Sequence, residues 1–248
     1  KDGDVTVVTF DASEKTFRHD QFEDYKAGRP PMPDDLKDQI NVIKRVVSLL
    51  GLYQIEVDGL EADDLMGTLA TRCAADGYSV EIITSDRDAY QLVNEHIVVR
   101  GLDKTERIGA AEVLEKYGVT VDQWTDYRAL IGDASDNIPG AKGVGPVSAS
   151  KLLQRYGTLD WVLEHLDEVE PPAVAKKIHA SLEAVKFSRE LSRIVTDADL
   201  EYDPRAWSQR EPAEDELREL LLELEFNSIL AELGLVERVR YEETAWPP

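Results

Sequence analysis

Short β-rich apolar runs alternate with apolar residues at helical spacing along the first hundred positions, and beyond them helical spacing alone continues. Residues 5–10 form an apolar run that ends at Asp11 and reads as a buried strand. Residues 12–33 are polar, mixed in charge and finish in Arg-Pro-Pro-Met-Pro, which predicts a projecting loop or short helices. A helix follows: Asp34 and Asp35 suit its N-terminus, Leu36, Ile40, Ile43, Val47 and Leu50 share a face, and Gly51 stops it. Residues 53–57 predict a second strand, with Asp58-Gly59 turning into a helix that carries Glu61, Asp63 and Asp64 and runs to Gly77. Further strands are expected at 80–84 and 97–100, with Asp86, Asp88 and a short helix between them.

Strands alternating with helices imply an α/β fold, with a mostly parallel central sheet covered on both faces. Ligands of such sheets bind beyond the carboxyl ends of the strands. Past residue 110 the pattern predicts helices at 111–117, 123–131, 147–156, 159–166 and about 173–194, then an acidic one at 213–226. Residues 132–145 are rich in glycine and separate the second of these helices from the third, so their backbone N–H groups could face a phosphate.

The chemistry lies in eight carboxylates grouped in four packets: Asp11; Glu61, Asp63 and Asp64; Asp86 and Asp88; Asp133 and Asp136. Each packet has an ordinary explanation in helix capping, Asx turns or the helix dipole. Capping does not explain the surplus, because one cap suffices at each helix start and additional acids repel one another. Hard divalent cations, Mg2+ or Mn2+, prefer oxygen ligands and would neutralise such a cluster. In a two-metal mechanism the ions sit about 3.5–4 Å apart and serve the attacking and leaving oxygens, so no Ser, Cys or His nucleophile is needed. His19, His96, His165 and His179 are scattered without zinc-like spacing and are assigned no chemistry. A phosphatase of the haloacid dehalogenase type is excluded, since Asp11 is followed by Ala12-Ser13 rather than x-Asp.

Charge refines the picture. The 248 residues carry a net charge of −22, which by itself argues against a polyanionic partner. Residues 197–248 hold fifteen acids against five bases, and the first 196 carry the other −12, of which eight are the clustered carboxylates. Residues 137–159 contain no acid but include Lys142, Lys151 and Arg155, and a second basic group comprises Lys176, Lys177, Lys186, Arg189 and Arg193. Arg18, Tyr25, Lys26 and Arg29, interleaved with Phe17 and Phe22, are either snorkelling loop residues or the lining of a single-strand channel over the metals. The lone Cys73 excludes a disulfide framework and a Cys-ligated zinc site. With no membrane-length apolar stretch and no signal pattern at the start, a cytoplasmic location is expected.

Phe10-Asp11-Ala12, Phe17-Arg18-His19, Tyr25-Lys26-Ala27-Gly28-Arg29, Glu61-Ala62-Asp63-Asp64, Ser85-Asp86-Arg87-Asp88 and the run Gly132–Gly140 together resemble the 5'-nuclease domain of bacterial DNA polymerase I, in the flap endonuclease superfamily. The resemblance spans essentially the whole chain. It implies a PIN-like core, a helical arch over 12–33, a helix-3-turn-helix DNA clamp, and hydrolysis of 5' flaps, nicks or 5' overhangs in replication and repair. By motif, Asp11, Glu61, Asp63 and Asp64 would hold one metal region, and Asp86, Asp88, Asp133 and Asp136 the other. Arg18, Tyr25, Lys26 and Arg29 would contact the scissile phosphate and the 5' strand. Lys142, Gly143, Gly145, Ser148 and Lys151 would meet DNA at the clamp, where K+ could bind main-chain oxygens.

The implied division is a nuclease core over 1–110, a helical clamp over 111–196 with its helix-hairpin-helix at 132–156, a cap over 197–236 and a linker over 237–248 to polymerase domains. The family's opening strand, with one more metal-binding Asp, would precede Lys1. The clamp reads Gly-Pro-Val-Ser at 145–148 where the family more often has Glu-Lys-Thr. A monomer is expected. A DNA-binding module without catalysis and a PIN-like ribonuclease are the alternatives, the latter disfavoured by the clamp.

Overall fold

The computed structural model describes residues 5–12, 15–102, 105–207 and 210–235. In chain order its elements are β1 (Val7–Thr9), α1 (Phe17–Gln21), α2 (Asp34–Leu49), β2 (Tyr53–Ile55), α3 (Ala62–Ala75), β3 (Val80–Ile83), β4 (Ile97–Arg100), β5 (Arg107–Ile108), α4 (Ala110–Tyr117), α5 (Trp124–Ile131), α6 (Pro146–Tyr156), α7 (Leu159–Glu164), α8 (Pro172–Ala180), α9 (Leu182–Leu191), α10 (Glu214–Glu223) and α11 (Asn227–Glu232). Short 3-10 turns cover Arg87–Leu92 and Val121–Gln123. The strands form a two-stranded sheet, β1 with β2, and a three-stranded sheet in the order β3, β4, β5.

The chain is mixed α/β as expected, but its strands lie in two sheets rather than one, and other details differ. β3 and β4 are parallel, Val80 opposite Ile97 through Ile83 opposite Arg100. β5 was not foreseen and runs antiparallel to β4, since two residues are too few to leave a period in the sequence. The long helix expected over 173–194 is two helices broken at Ser181. At the break the Ser181 hydroxyl accepts a hydrogen bond from the Lys142 amide, 39 positions away, at 3.2 Å, a tertiary contact that no local pattern marks. The acidic helix stops at Glu223, and α11 follows. The expected linker, 237–248, lies outside the described residues.

The chain divides into two compact units. One comprises residues 1–8, 32–54 and 203–248, in which α2, α10 and α11 close over Leu217, Leu221 and Leu230 with Val46, Leu49, Leu50 and Leu235. Only the C-terminal half of the α2 stripe is covered, and Leu36 and Ile43 stay exposed.

The other unit, residues 9–31 and 55–202, holds the larger core. Leu65, Val113, Trp124, Leu130, Leu153, Ile178 and Val185 are almost wholly buried there, each side chain contributing roughly 1.5–3 kcal/mol of transfer free energy. Gly67 on α3 permits the close approach of the segment after α9: a Cβ at 67 would stand 2.4 Å from the Ile194 side chain. That contact brings residues 191–195 alongside the first turn of α3, where three of the acids lie.

Candidate active site

All eight carboxylates belong to the larger unit. Asp11 follows β1, Glu61 is the N-cap residue of α3 with Asp63 and Asp64 in its first turn, Asp86 and Asp88 follow β3, and Asp133 and Asp136 follow α5. Their mutual influence shows that they converge. Burial, then the charges of Asp86, Glu61 and Asp11, push the Asp63 carboxyl up to about 7, with Lys26 pulling the other way. Asp88 is pushed up to about 6 by burial, against the pull of Arg128, with Asp86 and Asp133 adding repulsion.

The segment after Asp11 contains a short helix, α1, followed by turns; Thr16, Arg18 and Tyr25 are buried, Arg18 at 3% exposure and Tyr25 at 4%, while residues 27–33 are exposed. Arg18 makes a bidentate pair with Asp64, at 2.7 and 2.8 Å, and donates to the carbonyls of Leu191 and Arg193. Burial alone would lower the Arg18 pKa, but the hydrogen bonds and charge of Asp64 hold it above its ordinary value. Lys26 pairs with Glu61 at 2.9 Å, and Arg29 pairs with Asp136. The Tyr25 hydroxyl lies between Glu61 and Asp136, 3.3 and 3.4 Å away, and burial followed by those two charges raises its pKa.

Asp64 stands apart from its neighbours. It is fully buried, and both oxygens are occupied: Oδ1 accepts from Arg18 and the Val195 amide, and Oδ2 accepts from Arg18 and the Glu61 amide. Four donors to one carboxylate are the signature of a structural anchor. Asp63, in contrast, forms no ion pair among the described residues, and Asp86 is exposed, receiving a cap bond from the Asp88 amide at 2.8 Å.

Two residues of this site went unnoticed in the sequence. Thr16, 4% exposed, donates from its hydroxyl to Glu61 at 3.2 Å. Arg128, on α5, bridges Asp88 and Asp133. Its signal was available: it is a base on a helix whose residues Trp124, Tyr127, Ala129 and Leu130 are all buried, one turn before Asp133.

The hairpin after α5 is set by its backbone. Asp133 and Ile138 form an isolated antiparallel bridge, and Gly132 and Gly140 cross so closely that a Cβ at 140 would lie 2.4 Å from the Gly132 nitrogen. Gly140 also has φ +61°, so glycine is required twice over. The Lys26 amide donates to the Asp136 carbonyl and Asn137 donates to the Asp24 carbonyl, at 3.0 and 2.8 Å, which zips the 12–33 segment to the hairpin. Lys142, Gly143, Gly145 and Lys151 are exposed, Ser148 is half-buried, and α6 begins with Pro146 and no acid in its first turn. Such an edge suits an anion. The Lys177 ammonium donates to the Gly143 carbonyl at 2.8 Å, so one main-chain oxygen there already faces a cation.

The donors are oxygens throughout, which suits a hard divalent cation, and burial first, then the neighbouring acids, raises the Asp63 carboxyl. Among the described residues no three His, Cys, Asp or Glu side chains are gathered tightly enough to hold an ion as they stand. Arg18, Lys26, Arg29 and Arg128 take up carboxylate oxygens instead. No helix among the described residues is long and apolar enough to cross a membrane, and Cys73 is a free thiol.

Comparison with known proteins identifies the family of the chain. Residues 1–118 match the 5'-3' exonuclease N-terminal resolvase-like domain, and residues 119–215 match the 5'-3' exonuclease C-terminal SAM fold. The chain is 47% identical over 249 residues to DNA polymerase I, thermostable, of Thermus thermophilus, covering 100% of this chain and 30% of that protein. It is 51% identical over 227 residues to DNA polymerase I of Deinococcus radiodurans, covering 90% of this chain and 23% of that one. The chain thus spans under a third of the length of these relatives.

Among solved structures, T5 5'-exonuclease with bound zinc superposes with a TM-score of 0.69 at 19% identity, over 88% of this chain and 83% of that one. The catalytic core of Rad2 in complex with DNA substrate gives 0.62 at 20% identity, over 93% and 79%. At these identities the two structures establish the shared fold.

Proposed function

The chain belongs to the 5'-3' exonuclease family, and on that footing we propose that it is a structure-specific 5' nuclease that hydrolyses DNA at 5' flaps, nicks and 5' overhangs, as the N-terminal part of a DNA polymerase I. The observation that carries the reading is the convergence of Asp11, Glu61, Asp63 and Asp86, with bases of the 12–33 segment paired to neighbouring acids. When bound, a pair of divalent cations supplies the charge neutralisation that phosphodiester hydrolysis requires at the attacking and leaving oxygens. Asp11, Glu61, Asp63 and Asp86 are the residues to hold the first ion, and Asp88, Asp133 and Asp136 those to hold the second. Asp64 acts as a positioning residue that fixes Arg18 and the first turn of α3.

The remaining roles follow from charge and place. Lys26 and Arg29, partly exposed and already facing carboxylates, exchange those partners for the scissile phosphate when metal takes over neutralisation. Tyr25 keeps its proton, because burial and two acids disfavour its anion, and serves as a hydrogen-bond donor. Residues 111–196 act as the clamp: exposed amides and Lys142 and Lys151 grip the duplex backbone without reading bases. A K+ ion at the hairpin would share the Gly143 carbonyl with Lys177.

The test is cleavage of an end-labelled 5' flap with Mg2+ or Mn2+ against chelator, using DNA and RNA flaps in parallel. Metal-dependent cutting of the DNA flap, lost in Asp86→Asn, is the expected result. Binding without cutting would support instead a DNA-binding module, a reading favoured by the absence of a closed three-ligand cluster among the described residues. Preference for the RNA flap would make the protein a ribonuclease.

A further inference from the structure

Arg128 differs from the other three cations of the site in where it is anchored. Arg18, Lys26 and Arg29 come from the segment between β1 and α2, whereas Arg128 projects from α5, flanked in sequence by the buried Tyr127, Ala129 and Leu130. Its guanidinium, 12% exposed, places Nε 2.6 Å from Asp88 Oδ1 and Nη2 against Asp133 Oδ2. The contact with Asp88 is close but poorly directed: both Nε and Oδ1 are buried without a properly aligned hydrogen bond. Burial alone would lower the Arg128 pKa, yet the two acids hold it above its ordinary value, so the charge is permanent. Asp133 Oδ1 is taken by the amide and hydroxyl of Ser135, at 2.8 and 2.6 Å. The oxygens of this pair left for a metal are therefore those facing Arg128.

On the opposite side of the site, among the described residues, no base stands within salt-bridge distance of Asp63 or Asp86. We propose that Arg128 is a built-in counter-ion that competes with the second divalent ion for Asp88 and Asp133, so that the two metal positions load unequally: the Asp63–Asp86 position first, the Asp88–Asp133 position weakly and under the control of Arg128. The inference rests on the metal-dependent reading above. In its consequence, full loading needs a further anion, such as a DNA phosphate, to draw Arg128 off the pair. Arg128 is thus a positioning residue that acts through metal ligands.

Calorimetric titration of the metal-free chain with Mn2+ and no DNA tests it. The wild type should show one tight class and one much weaker. Arg128→Gln should tighten the weak class about tenfold or more, equivalent to ~1.4 kcal/mol, and leave the tight class within about twofold. Arg128→Lys should retain the wild-type pattern. A weak class unchanged or weakened in Arg128→Gln would overturn the proposal. Should Arg128→Gln prove unstable without metal, its melting temperature must rise more with Mn2+ than that of the wild type, and an equal rise would overturn it too. A wild type that binds no Mn2+ at all would remove the nuclease reading along with the proposal. Binding and flap cleavage that are intact, with no response to Arg128→Gln, would remove only the proposal.

Discussion

Two halves of one acidic site handle the same electrostatic problem differently. Asp64, Asp88, Asp133 and Asp136 each face a guanidinium of the chain itself, while Asp11, Asp63 and Asp86 form no ion pair among the described residues. The first half has three guanidinium groups for its four acids; the second has no ion pair of its own among the described residues. The difference teaches that clustered acids are not one kind of residue. Some hold the fold together through arginine, and some keep their charge available for an ion that must come from outside.

The sharpest way to break this distinction is to remove Arg18. Asp64 would be left as a buried, unpaired charge, and Arg18→Ala should destabilise the chain by about 3–5 kcal/mol, read by urea unfolding. A loss under about 1 kcal/mol would mean that Asp64 is a relaxed ligand rather than an anchor. In the second half the expectation reverses. Asp86→Asn keeps a cap acceptor for the Asp88 amide and relieves repulsion on Asp63, so stability should hold while flap cleavage falls about a hundredfold or more, ~2.7 kcal/mol of barrier.

The hairpin that carries Asp133 and Asp136 depends on backbone shape rather than charge. Gly140→Ala must place a Cβ against the Gly132 backbone at positive φ and should destabilise by about 1–3 kcal/mol, with Arg128→Gln as a control that leaves that turn intact. Melting curves on the two variants would separate a shape defect, insensitive to Mn2+, from a charge defect that Mn2+ repairs.

A gentler probe is pH. Asp63 and Asp88 have folded pKa values of about 7 and about 6, above the value near 4 of an unfolded Asp, so between about pH 4 and 7 the folded chain binds more protons than the unfolded one. Their contribution to stability therefore falls as pH rises through that window. In chelator the melting temperature should drop from pH 5 to pH 7.5, and Mn2+ should restore it at the upper end, because metal takes the place of the proton. A melting temperature that climbs with pH in chelator would show that the second half already has its counter-charge.

Much of this was legible in the sequence. The four packets, the β-strands before Asp11 and Asp86, the helix carrying Asp63 and Asp64, and the glycine-rich hairpin follow from apolar period and turn chemistry. What was not legible depends on contacts across long separations. Arg18 meets Asp64 from 46 positions away and the Leu191 carbonyl from 173 away, so no local pattern marks it as buried, and the bases of the 12–33 segment read equally as snorkelling loop residues or as a channel lining. The break at Ser181 sits at a contact with the Lys142 amide, 39 positions distant. β5 is too short to have a period at all. Arg128 was nearest to being found, since a base among buried helix neighbours needs a partner and Asp133 lies one turn on.

The central claim is that the carboxylates left without a guanidinium receive a divalent ion ahead of those that face one. Diffraction from crystals soaked in Mn2+, recorded near the manganese absorption edge, tests it directly. The account predicts an anomalous peak beside Asp63 and Asp86, stronger than any at Asp88 and Asp133. A peak on Asp64 with Arg18 displaced, or none beside Asp63, would contradict it.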